Sequence, residues 1–119
     1  MIAAHLIEDD TVYETSLPAS VYLTDKVPEP RDHGNQSSCT AWATAYALRS
    51  YQQERSVGWG LDMDEHLFSP AYVYNQVCGS IDNGSSISRV LDLMTEQGVC
   101  MLAFFPYDAG DFLTQPNEE

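Results

Sequence analysis

Cys39 is the residue whose type and position in the sequence suit a reactive side chain. It follows a turn that contains glycine and serine, HGNQSS, and it opens an alanine-rich segment of high helix propensity, TAWATAYAL. The free backbone N–H groups and the positive dipole end of a helix N-terminus favour a thiolate over a thiol. A cysteine at this position is therefore a candidate nucleophile, and the alternative interpretation is a small buried apolar side chain.

A long helix is expected to carry Cys39. It is predicted to run from about Cys39 to Glu54, with Ser37 or Ser38 as its N-cap, because serine oxygens accept from the first free N–H groups. Small and aromatic side chains lie around most of its circumference, which is typical of a buried central helix. One predicted face combines Trp42, Ala45, Tyr46 and Arg49 at helical spacing.

Two further helices are predicted to pack against the first. Ser69 and Pro70 begin the second, near residues 70–78, since serine is a good cap and proline suits the first helical position. The third spans about residues 86–97 and is expected to end at Gly98 in the left-handed conformation. Its apolar residues at helical spacing are Ile87, Val90, Leu91 and Met94.

Signals for β-strands are weak in this sequence. Three prolines are expected to hold residues 17–36 extended, because proline fixes φ and moves its predecessor away from helix. Within that stretch, residues 21–23 could pair as a short strand. With three predicted helices and so little strand signal, the fold class is predicted to be mainly α.

The composition excludes several classes of function. The chain has 119 residues and a formal net charge of −13, from 5 Lys+Arg and 18 Asp+Glu. This acidity argues against direct binding of nucleic acid or of an anionic membrane, since both need clustered cations. Residues 1–7 meet acidic residues too early for a signal peptide, so we expect a cytoplasmic protein or one delivered without a cleavable signal. We expect no cofactor and no metal, because the cysteines and histidines lack zinc-ligand spacing.

Five segments resemble, in order and spacing, the papain-like cysteine peptidases, especially the bacterial members of that family. RDHGNQSSCTAWATAYAL is similar to the segment that carries the family's nucleophile, and IDNGSSISRVLDLM is similar to its Asp-Gly-Gly loop and the following helix. The other three segments are LPASVYL, LFSPAYVYNQ and EQGVCMLAFFPYD. The resemblance covers about residues 17–108.

The resemblance implies that residues 17–110 form the helical left lobe of the two-lobed papain-like α+β fold. It implies that Cys39 is the nucleophile of a thiol protease, a hydrolase, and that Asn83 and Gly84 line the substrate groove. The family's general base is a histidine about 130–150 residues downstream, oriented by an asparagine on the β-rich right lobe. That lobe lies outside this sequence, and the only histidine after Cys39 is His66, in a predicted loop. We therefore expect a peptide or protein substrate, a completing right lobe as partner, and no turnover by this chain alone.

Several positions depart from the family pattern. His33 stands where the family has the glutamine of its oxyanion hole, and an imidazole can donate one hydrogen bond there. Ser37 replaces a glycine, and Gln36 replaces a disulfide cysteine. The family bridges regions comparable to those of Cys78 and Cys100, so these two cysteines could form a disulfide, and the sequence leaves this open.

A second interpretation is a non-catalytic acidic half-domain that binds proteins, as an inhibitor or as a mimic of nucleic acid. The missing histidine lobe and the substitutions at positions 33 and 37 favour it, and the acidity would suit a basic partner. In either case we expect apolar surface over the Cys39 face, covered by self-association or by a protein partner. The flanking segments are predicted to be an acidic tail or edge segment, residues 1–16, and a polar tail, residues 111–119.

Overall fold

The computed structural model describes residues 16–116, and within them the chain is mainly helical. Helices hold 44 % of these residues, and none lies in a β-strand. The predicted mainly α class is therefore confirmed. The predicted N-terminal segment, residues 1–16, lies outside the described residues except for Ser16. None of the helices in residues 16–116 is long and apolar enough to cross a membrane.

The central helix, α1, runs without interruption over residues 39–57, three residues beyond the predicted end. It is α-helical at Cys39–Ala41, π-helical at Trp42–Arg49 and α-helical again at Ser50–Val57. Within the π-helical segment, a side-chain hydrogen bond is made to a backbone carbonyl oxygen that a backbone N–H would use in an α-helix. The Thr44 hydroxyl donates to the Thr40 carbonyl oxygen at 2.7 Å, the acceptor that the Thr44 N–H would use in an α-helix. The helical pattern of the sequence predicts an ordinary α-helix here and gives no sign of that competition.

The other two predicted helices are confirmed. α2 spans Pro70–Val77, and the Ser69 hydroxyl accepts from the Tyr72 N–H at 3.1 Å. α3 spans Ile87–Gln97, and the Ser86 hydroxyl accepts from the Arg89 N–H at 3.2 Å. Both helices therefore begin at a serine cap, as predicted.

Two local predictions need correction. Gly98 ends α3 with φ 76° and ψ −166°, so its φ is positive but its conformation is not left-handed helical. Residues 21–23 do not form a strand, and Val21 and Tyr22 are exposed. Among residues 16–116 no strand is present with which they could pair. A 3₁₀ turn, Thr24–Lys26, follows them instead.

The core lies on one side of α1 and consists of two clusters. The first joins α1 to α2 and α3, and its buried members are Ala41, Ala45, Val73, Tyr74, Val77 and Val90. The second joins α1 to the segment before α2 and the segment after α3, and its buried members are Trp42, Tyr46, Leu67 and Leu102. The segments at Leu67 and Leu102 are joined by a backbone hydrogen bond of 2.7 Å and a single antiparallel bridge. This packing holds α1 against α2 and α3.

Candidate functional site

Cys39 lies at the N-terminus of α1 and is exposed to solvent. Ser38 occupies the N-cap position that the sequence predicted, but its side chain makes no capping hydrogen bond. Its hydroxyl instead contacts the Tyr107 hydroxyl at 3.0 Å. The Ser38 side chain therefore leaves the first N–H groups of α1 free to stabilise negative charge beside the thiol.

The turn before Cys39 is held in place by a buried glutamine. The Gln36 side chain is 1 % exposed, and its amide nitrogen lies 3.3 Å from each of three carbonyl oxygens. These carbonyls belong to Asp108, Ala109 and Asp111. Gln36 thus links the turn to a distant part of the chain, at the position where the resembling family has a disulfide cysteine. This role of Gln36 was not predicted, because nothing in the local sequence signals it.

Two further contacts fix the same turn. The Tyr107 hydroxyl donates to the carbonyl oxygen of His33. Gly34 has φ +71°, and a Cβ there would lie 2.9 Å from the Cβ of Ala109. A larger residue at position 34 would therefore be strained and would collide with its neighbour. The turn and residues 107–111 form one packed unit.

The loop at residues 82–85 lies beside Cys39. The Asp82 carboxylate accepts from the Ser37 N–H at 2.9 Å, and the hydroxyls of Thr40 and Ser85 lie 2.5 Å apart. These contacts reach the chain on both sides of Cys39. A Cβ on Gly84 would lie 3.9 Å from the Ser37 carbonyl oxygen, so the loop backbone lies close to the turn. Gly84 and its neighbour Asn83 are therefore near the thiol, although they are far from it in sequence.

His33 is half-buried in the turn that precedes α1. Its Nδ1 is buried and has no hydrogen-bond partner. A ligand cannot reach a buried atom, so Nε2 is the ring nitrogen of His33 that could form a hydrogen bond with a ligand. The backbone of His33 is fixed through Tyr107, as described above, and its ring is carried on a rigid turn.

His66 is engaged elsewhere. It lies in the 3₁₀ turn Asp64–His66, in the loop where the sequence placed it. Its ring stacks on Trp59 with the centroids 4.3 Å apart, and its Nδ1 lies 3.1 Å from the Gly60 carbonyl oxygen. Among residues 16–116, no group of three or more His, Cys, Asp or Glu side chains is arranged so that it could hold a metal ion.

The other two cysteines are free thiols and differ from Cys39 in exposure. Cys78 and Cys100 are each half-buried, and no disulfide joins them. Burial raises the pKa of the Cys78 thiol and that of the Cys100 thiol. At neutral pH both are therefore held as poorly nucleophilic thiols.

An open apolar groove runs along the outer side of α1, and we call it the outer groove. Its volume is about 310 Å³, and its lining residues are Leu23, Val27, Ala43, Ala47, Leu48 and Tyr51. Ala43 and Ala47 follow Cys39 at intervals of four residues, which places them near one face of the helix. Leu23 is 44 % exposed and Leu48 42 % exposed. Exposed apolar surface therefore lies along α1 beyond its first turn.

Comparison with known proteins adds no relative. This chain matches no family model, no curated protein and no solved structure.

Proposed function

We propose that this chain is the helical left lobe of a papain-like cysteine peptidase and that Cys39 is its nucleophile. One observation supports this most strongly. Cys39 is exposed at the start of α1, and the loop at residues 82–85 contacts the residues on both sides of it. The resemblance assigned the nucleophile and the groove wall to these two distant segments from sequence alone, and they lie together in space.

The chemistry would begin with attack of the Cys39 thiolate on a peptide carbonyl carbon. A C–S bond forms, and the developing oxyanion needs donors close to it. The Cys39 N–H at the start of α1 is one candidate donor, and Nε2 of His33 is a second. Release of the amine then requires a general acid, for which His66 is unsuited because its ring is stacked on Trp59. A histidine on a second lobe would supply that group.

Peptide is the substrate class that the groove wall suits. The Gly84 N–H donates to the Tyr74 hydroxyl at 3.2 Å, so Gly84 can offer a substrate its carbonyl oxygen but not its N–H. Asn83 is exposed beside it. Backbone and amide groups of this kind pair with an extended peptide without selecting its side chains.

A comparison of two alkylating reagents tests this proposal. One is chloroacetamide, and the other is a short uncharged peptide with an N-terminal chloroacetyl group, so the reacting carbon is the same. For each cysteine, the measured quantity is the ratio of its alkylation rate with the peptide to its rate with chloroacetamide. We expect this ratio to be about fivefold higher at Cys39 than at Cys78, as one or two added hydrogen bonds would allow. The Cys39→Ser variant controls for labelling elsewhere. Equal ratios at Cys39 and Cys78 would contradict a peptide groove at Cys39.

The second candidate function is a non-catalytic acidic protein-binding module, and the outer groove favours it. Exposed apolar side chains at Leu23 and Leu48 are surface that a partner or a second copy would cover. The net charge of −13 would speed association with a basic partner. On this alternative Leu48→Glu abolishes association measured by light scattering, while Cys39→Ala leaves it unchanged. A chain that stays monomeric at high concentration and binds no basic protein would contradict it.

A further inference from the structure

The Asp82 carboxylate joins three parts of the candidate site. One of its oxygens, Oδ1, accepts from the Ser37 N–H at 2.9 Å and also from the Tyr74 hydroxyl. Ser37 lies two residues before Cys39, whereas Tyr74 lies on α2. The carboxylate thus connects the turn before the nucleophile with a core helix and with its own loop.

Tyr74 anchors this connection in the core. It is 0 % exposed and belongs to the cluster that includes Ala41 and Ala45 of α1. Its hydroxyl donates to Asp82 and accepts from the Gly84 N–H at 3.2 Å. Burial, and next the hydrogen bond to Asp82, raise the pKa of Tyr74, so the hydroxyl keeps the proton that it donates.

The far end of the loop has its own attachment. The Ser85 hydroxyl lies 2.5 Å from that of Thr40, one residue after Cys39. Gly84, between the two attachments, has φ +87°, a conformation that other residues rarely adopt. The loop is therefore fixed before and after the residues that would face a substrate.

We propose that Asp82, acting with Tyr74, is a positioning residue that holds Asn83 and Gly84 at the distance from Cys39 that a peptide requires. This inference rests on the proposed function, because it assumes that Asn83 and Gly84 contact a peptide substrate. It does not assign Asp82 a contact with the reacting atoms. Its effect is on how well a peptide is placed at the thiol and not on the reactivity of the thiol itself.

Three variants separate this role from a general loss of structure. Asp82→Ala removes the shared acceptor, whereas Asp82→Asn keeps an oxygen that can accept from both donors. Tyr74→Phe keeps the buried ring and removes only the hydroxyl, so it provides a second test if Asp82→Ala fails to fold. Asp25→Ala, in the exposed turn Thr24–Lys26, is the matched control.

The measurement is the ratio of Cys39 alkylation rates with the chloroacetyl peptide and with chloroacetamide. We expect Asp82→Ala and Tyr74→Phe to lower this ratio about fivefold and to leave the chloroacetamide rate unchanged. Asp82→Asn should keep most of the wild-type ratio, and Asp25→Ala should not alter it. A ratio that survives Asp82→Ala or Tyr74→Phe, or that Asp82→Asn fails to restore, overturns the inference.

Hydrogen exchange distinguishes failure of this inference from failure of the proposed function. Asp82→Ala should speed exchange of the Gly84 amide, while Asp82→Asn and Asp25→Ala should leave it slow. If the wild-type ratio at Cys39 equals that at Cys78, the proposed function fails and exchange alone tests whether Asp82 fixes the loop. If the wild-type ratio is high and the Gly84 amide exchanges equally in the wild type and in Asp82→Ala, the peptide groove stands and the role of Asp82 is refuted.

Discussion

The two sides of Cys39 are built in different ways. On one side, Asp82 and Ser85 attach a loop to the residues before and after the thiol through side-chain hydrogen bonds. On the other side, the outer groove exposes apolar side chains such as Leu23 and Leu48. The loop at residues 82–85 is thus held by hydrogen bonds, whereas the outer groove, which begins on α1 at Ala43, is open surface of the kind that proteins usually cover. The contrast is what half of a two-lobed cleft would present.

The largest expected effect concerns turnover. We expect this chain alone to hydrolyse peptides slower than a complete site by a factor on the order of 10⁴, because the base that the proposed second lobe would supply is not among residues 16–116. A fluorogenic peptide assay measures this, with Cys39→Ala as the control. Robust turnover that Cys39→Ala abolishes would show that the chain is active without a second lobe. If His33→Ala also abolished that turnover, His33 would be identified as the general base.

The next effect compares the buried and open sides of α1 directly. Ala45→Leu should lower the free energy of unfolding by about 1–3 kcal/mol, because Ala45 is 0 % exposed and packed in the core. Ala43→Leu makes the same change on the exposed side and should alter that energy by less than about 0.5 kcal/mol. Urea unfolding measures both. Equal losses would mean that the outer groove is already covered, for example in an oligomer.

A smaller effect separates the three thiols. We expect iodoacetamide to modify Cys39 about tenfold faster than Cys78 or Cys100 at neutral pH, since exposure and thiolate content control the rate. The half-buried pair has raised pKa values, so the difference should narrow as the pH rises toward those values. Mass spectrometry of partly labelled chain measures each site. Equal modification of all three at neutral pH would contradict the proposed role of Cys39.

The smallest effect is on stability at alkaline pH. Burial raises the pKa of Tyr74 above its ordinary 10.0, so the folded state favours the neutral hydroxyl. Above about pH 10 the unfolded chain ionises first, and the free energy of unfolding should therefore fall as the pH rises. Tyr74→Phe should reduce this slope in urea unfolding between about pH 8 and 11, whereas Tyr22→Phe, at an exposed position, should not. Identical slopes in all three proteins would contradict the assigned role of Tyr74 burial.

The helices could be predicted because their signals are local. Ser69 with Pro70, and Ser86 with the apolar residues that follow, mark the starts of α2 and α3 through capping chemistry within one turn. The start of α1 at Cys39 was predicted from the same pattern, although the Ser38 side chain makes no capping hydrogen bond there. The π-helical segment could not be predicted, because it depends on whether Thr44 bonds the backbone in preference to solvent.

The candidate site could be predicted only in part. Cys39 was identified from its place at a predicted helix start, whereas Asn83 and Gly84 came from the resemblance. The structure brings their segments together. The roles of Asp82 and Gln36 were missed, since each depends on contacts across 45 or more residues that leave no local pattern. The absence of a strand at residues 21–23 has a similar cause, because pairing needs a distant partner.

The most direct test of the account is the backbone NMR spectrum of the chain alkylated at Cys39. Two adducts are compared, one with the chloroacetyl peptide and one with chloroacetamide, so that only the peptide differs. If Cys39 is a nucleophile beside a peptide groove, the amides of Asn83, Gly84 and Ser85 shift in the peptide adduct and not in the acetamide adduct. Identical spectra of residues 82–85 in the two adducts would show that the peptide does not contact this wall, and would contradict the account.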